Sequence, residues 1–281
     1  MLRKVFKYDF ESIGRIWWIY AVSLLGMSIL TSLSMNLSIK DEEQTVPMLT
    51  ILATLLFIFS MLAVIASIIF TEVLIFVRFY KNFFTDEGYL TFTLPVSRKS
   101  LLLSKLLNSL VWNFLNGVLA MICVVILIVS FSPLGIFDDM LPAMSESFQS
   151  IPTYLPTWSI LVYLAEGAVL LTLLAAMTTS LIFLCITLGS VIAKKNKILA
   201  AVGIYYGFNM VFSGITNFAA SAVVSLGTIG LMSILPEGAS NNLIHLIIAL
   251  VGLIAIAFVA AVSATLYFTT LNLIERRLNL P

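Results

Sequence analysis

The chain has 281 residues, 60% of them hydrophobic and only 10% charged, with a mean hydropathy of +1.09 and a net charge of +1. A water-soluble core of this size needs far more polar surface, so a globular soluble fold is excluded. Nucleic-acid binding is excluded with it, because no basic stripe runs through the sequence. What remains is an all-α polytopic membrane protein.

Six apolar blocks are each long enough to cross about 30 Å of hydrocarbon at roughly 1.5 Å per residue. They cover residues 17–37, 48–79, 106–131, 158–192, 198–235 and 243–271. Before the first block, Val5, Phe6, Tyr8, Phe10, Ile13 and Ile16 alternate with Lys7, Asp9, Glu11 and Arg15. That pattern predicts an amphipathic interfacial helix over residues 1–16, with Trp17, Trp18 and Tyr20 at the headgroup boundary. The 17–37 run is too long for a signal-peptide core and lacks a small-residue cleavage pattern, so it is expected to stay as an anchor.

Basic residues set the orientation. Fourteen of the fifteen lysines and arginines fall on one side once the six blocks are drawn, Lys40 being the exception. Arg3, Lys4, Lys7 and Arg15 lie before the first span, Arg78, Lys81, Arg98, Lys99 and Lys105 between the second and third, and Lys194, Lys195 and Lys197 between the fourth and fifth. Arg276 and Arg277 follow the last, so both termini are predicted to be cytoplasmic in a multi-pass protein of the cell membrane. The outer loop at 132–157 holds Asp138, Asp139 and Glu146 with no base. Residues 198–235 are too long for one span and short for two. They are read as one span to about residue 218 and an outer re-entrant segment within 219–242, turned at Gly227, Gly230 and Pro236.

The cytoplasmic loop at 80–105 is too apolar for an ordinary solvated connection. Gly88 and Pro95 bracket it, and Ser97 is placed to cap the helix that runs into the third span. Period-two alternation of Tyr89, Thr91 and Thr93 also permits an extended strand. Glu87, Gly88, Leu90, Pro95, Val96, Ser97, Arg98 and, seven residues on, Lys105 match an acidic-Gly-x-Leu-x-x-x-x-Pro-Val/Leu-Ser-Arg pattern. In this the chain resembles the permease subunits of ATP-binding-cassette (ABC) exporters of the second type.

The resemblance implies a short cytoplasmic coupling helix, Glu87 to Leu94, seated in a groove of a separate ABC ATPase subunit. Tyr89, Leu90, Phe92 and Leu94 would fill an apolar notch there, Asp86 and Glu87 would meet basic residues at its rim, and Pro95, Ser97 and Arg98 would fix the exit. Six spans make a half-transporter in that family, which implies a second permease chain, identical or a sister. No Gly-x-x-x-x-Gly-Lys-Ser/Thr sequence occurs, so ATP and Mg are expected in the partner ATPase and no cofactor in this chain. By span position alone, Phe208, Asn209 and Phe212 would line the path of an amphipathic or hydrophobic substrate such as a peptide, lipid or drug.

Other polar residues carry plainer expectations. Asn108, Asn113, Asn116, Asn209 and Asn217 read as hydrogen-bonding glue between spans, and the Gly203/Gly207 pair as a close helix contact within the chain. Glu166 is expected at the outer headgroups, Glu72 near the inner surface with Arg15 or Arg78, and His245 at the outer interface. Cys123 and Cys185 lie inside apolar blocks and read as packing residues, with no metal or disulfide framework. An enzyme has no catalytic constellation to rest on. A stand-alone secondary transporter or channel is the alternative, although no half-to-half repeat and no set of ion-coupling residues supports it.

Overall fold

A computed structural model of the chain describes residues 2–40, 47–93, 95–132, 141–146, 157–193, 196–211, 213–214 and 241–277. Among these residues there are helices and no strand. They are α1 (Leu2–Lys40), α2 (Pro47–Phe84), α3 (Asp86–Thr93), α4 (Arg98–Val129), α5 (Thr157–Ile192), α6 (Lys197–Val211) and α7 (Asn241–Arg277). Five of them, α1, α2, α4, α5 and α7, are long and apolar enough to cross a membrane. The protein is therefore a multi-pass membrane protein built from helices, which satisfy every backbone group within one segment.

Apolar runs explain the helices, and local chemistry explains several ends. Pro47 opens α2 at the first helical position, where its missing N–H costs nothing. Ser97 caps α4 in an extended conformation (φ −65°, ψ 142°), its hydroxyl accepting from the Ser100 amide at 3.3 Å. The α5–α6 connection is tight. A Cβ built on Gly189 would lie 2.6 Å from the backbone nitrogen of Ala201, so only glycine lets these two helices approach as they do.

The chain divides into two compact units, Met1–Phe83 with Phe92–Ser150 and Phe84–Thr91 with Ile151–Pro281. In the first, α1 packs on α4; in the second, α5 packs on α7. Large apolar side chains cover the outer faces: Leu30, Leu62, Met121 and Ile254 are all exposed, as a lipid-facing surface requires.

Three expectations change. Residues 2–16 do not form a separate interfacial helix: they are the first turns of α1, continuous with the apolar stretch. Their apolar face is used against α4, where Phe10 stacks on Trp112 at 4.6 Å and the Trp112 ring lies 3.3 Å from where a Gly14 Cβ would be. Trp17 is buried beside the same ring, centroids 5.3 Å apart, whereas Trp18 is 64% exposed. The Gly203/Gly207 pair has no neighbour within 4 Å of either would-be Cβ, so it makes no close contact with the rest of the described chain. The six-span count also involves the segment after α6. Residues 212 and 215–240, with Phe212, Asn217 and the re-entrant segment expected near 219–242, lie outside the described residues, as do 133–140 and 147–156 of the outer loop. Residues 141–146 of that loop are helical and exposed.

Candidate functional site: the short helix between α2 and α4

The apolar insert is helical. α3 occupies eight residues, Asp86–Thr93, so the extended alternative left open by the alternation of Tyr89, Thr91 and Thr93 does not occur. A turn at Thr85 separates it from α2, with the Gly88 amide donating to the Thr85 carbonyl at 2.8 Å. Thr91 folds its hydroxyl back onto the Glu87 carbonyl at 2.9 Å, satisfying itself within the helix. Gly88 is buried and Glu87 exposed.

An aromatic run fixes the far end. Phe79 and Phe83 are fully buried on successive turns of α2, and the Phe83 ring meets Phe92 edge-on at 5.6 Å. The Arg98 guanidinium lies 5.4 Å from the centroid of that Phe92 ring, a cation–π contact that ties the start of α4 to the end of α3. Phe92 thus commits part of its surface to its own chain. Pro95 and Ser97 are exposed, and the Ser97 and Ser100 hydroxyls are 2.9 Å apart. The side chains of Asp86, Tyr89 and Leu90, and the whole of Leu94, lie outside the described residues.

Within the first unit, three helices are tied by one ionic node. Lys105 of α4, 7% exposed, donates to Asp9 Oδ1 of α1, and Asn82 Nδ2 of α2 approaches the same oxygen at 3.4 Å. A charge-assisted bond of this kind is stronger than a neutral one, and burial makes its loss costly. Asn108, one turn along from Lys105, donates to the Phe6 carbonyl at 3.4 Å. Lys105 closes the sequence pattern of the insert, yet its partner Asp9 was invisible there: the two are 96 residues apart, and only the shared buried position connects them.

The asparagines of α4 do serve as glue. Asn116 accepts from the Tyr20 hydroxyl at 3.0 Å. Arg15, one of the two cations expected beside Glu72, is exposed.

In the second unit, Tyr163 of α5 holds His245 of α7 through Nδ1 at 3.0 Å and the backbone carbonyl at 3.3 Å, so His245 is a helix tie. Glu166, on the same face of α5, sets a carboxylate oxygen where a side chain on Gly252 would otherwise stand. Cys123 and Cys185 are buried free thiols.

The expected path residues Phe208 and Asn209 are both exposed on α6. The cavity found between α1 and α2 includes neither. Among the described residues no cluster of His, Cys, Asp and Glu is arranged to hold a metal ion. No family model, curated protein or solved structure matches this chain.

Proposed function

We propose that the chain is the permease subunit of an ABC transporter, moving an amphipathic or hydrophobic substrate outward under the drive of a separate ATPase subunit. The observation that carries this reading is α3 itself. It is a short helix placed in sequence between two long apolar helices, bearing the Glu87-Gly88-x-Leu90 and Pro95-Val96-Ser97-Arg98 residues that resemble the ATPase-docking loop of second-type exporters. Glu87 is exposed, the Phe83–Phe92–Arg98 contacts hold the last turn of α3 to the ends of α2 and α4, and the Asp9–Lys105 pair ties α1 to α4.

The mechanism follows from the place of α3 in the chain. Closure of a nucleotide-bound ATPase pair pushes on α3, which is joined in sequence to α2 and α4 and passes the displacement to them, and the spans switch the path between two accessible states. Both termini and α3 lie on the cytoplasmic side in this reading, and two permease chains complete the transporter.

The test is co-purification from the native membrane in mild detergent. An ABC ATPase should be recovered in stoichiometric amount with the wild-type chain and lost with Glu87→Lys combined with Leu90→Glu, while membrane insertion is unchanged. Recovery of the chain alone, under conditions that keep known complexes together, would reject the permease reading in favour of a stand-alone transporter or channel.

A further inference from the structure

Around the Asp9–Lys105 pair, three buried polar atoms have no hydrogen-bond partner in the protein: Asp9 Oδ2, Ser104 Oγ and Asn108 Oδ1. Ser104 and Asn108 are 0% and 2% exposed, and the Asp9 side chain is 14% exposed. Buried groups of this kind are normally paired, because each gave up its hydrogen bonds to water when the helices packed. Three of them at one seam call for a common partner.

The register brings them to one strip. Ser104 and Asn108 stand at i and i+4 on α4 and so share a face. Two contacts set that face against Asp9. Asn108 Nδ2 donates to the carbonyl of Phe6, which lies three residues before Asp9 on the same side of α1. Lys105, next to Ser104 in sequence, donates to Asp9 Oδ1. The same contacts decide which atoms are left over. Phe6 takes the amide nitrogen of Asn108 and leaves its oxygen; Lys105 and Asn82 take Oδ1 of Asp9 and leave Oδ2.

The atoms left over select the ligand. Asp9 Oδ2 and Asn108 Oδ1 can only accept, whereas the Ser104 hydroxyl can donate or accept. The ligand must therefore offer two donors and take one. A metal cation fits poorly, since the Lys105 ammonium already stands at Asp9 and would repel it. We propose that one ordered internal water sits between α1 and α4, donating to Asp9 Oδ2 and to Asn108 Oδ1 and accepting from the Ser104 hydroxyl. Three hydrogen bonds to otherwise unmet buried groups are the usual complement of such a water. The water lets the seam hold a carboxylate whose second oxygen no side chain reaches. The inference does not use the permease reading.

The experiment is a crystal structure of the full chain, grown from a lipid phase, at a resolution that shows ordered waters. A density peak should stand about 2.7–3.2 Å from both Asp9 Oδ2 and Asn108 Oδ1. Asn108→Leu, which puts a methyl group in place of the amide oxygen, should abolish that peak. No peak in the wild type would overturn the proposal. So would Asp9 Oδ2 and Asn108 Oδ1 in direct contact, sharing a proton with no room for water, or a peak at about 2.3–2.6 Å from both oxygens, which marks a metal ion. A peak that persists in Asn108→Leu would overturn the assignment of Asn108 as its partner. The wild-type map alone decides the matter should the variant fail to fold.

Discussion

The α1–α4 seam and the α5–α7 seam are both long helix contacts in an apolar chain, yet they are built by opposite means. Between α1 and α4 the contact is heterogeneous: a buried ion pair, an asparagine reaching a backbone carbonyl, and a Phe10–Trp112–Trp17 aromatic cluster. Between α5 and α7, Tyr163 is hydrogen-bonded to His245, and Glu166 fits beside Gly252 where a side chain is missing. The first seam specifies one register through an ion pair and interlocked rings; the second pair of helices carries small buried hydroxyls, Ser159, Thr179 and Ser180 on α5 and Thr270 on α7, with no ion pair among the described residues. In lipid, where burying apolar surface gives little net drive, that difference should separate a rigid pair from one that slides.

The comparison is open to test, and the largest effect belongs to the ionic node. Lys105→Met leaves Asp9 buried without its cation, with its other oxygen already lacking a partner, and should cost about 3–5 kcal/mol in thermal or denaturant unfolding. Adding Asp9→Asn should restore much of that loss; if the double variant is no better than the single, the node is not an isolated pair. Next, Gly189→Ala forces a methyl group onto the Ala201 backbone and should cost about 1–3 kcal/mol, read as a lower melting temperature in detergent.

Tyr20→Phe removes the hydroxyl that joins α1 to Thr71 of α2 and Asn116 of α4 and should cost about 0.6–1.5 kcal/mol, in line with hydrogen bonds inside membranes. The smallest change is expected from Gly252→Ala. The atom in the way is the end of the flexible Glu166 side chain, which can swing aside, so stability should move by under about 1 kcal/mol. A loss as large as that of Gly189→Ala would show that the α5–α7 seam is as tightly specified as the α1–α4 seam.

Much of this architecture was legible in the sequence because an apolar run of membrane length has few alternatives. Ser97 as a cap was legible for the same local reason, since the pattern of cap and helix lies within a few residues. The helical state of α3 was not: eight residues give too few turns for periodicity, and alternating Tyr89, Thr91 and Thr93 fitted a strand equally well. Nor was the continuity of α1. Its amphipathic first turns look like an interfacial helix until Trp112, about a hundred positions away, supplies a protein surface for the apolar face. The same non-local logic hid Asp9 behind Lys105.

The wide separation of Asp9 and Lys105 also bears on how the protein is made. At about 5–20 residues per second, Asp9 leaves the ribosome roughly 5–20 s before Lys105 does. Throughout that interval α1 must wait at the membrane with an acidic group whose counterion is not yet synthesised. Its first turns therefore cannot dock finally until α4 arrives. The node thus forms late in synthesis, and slowing translation between α2 and α4 should lengthen the time for which nascent α1 stays open to membrane proteases.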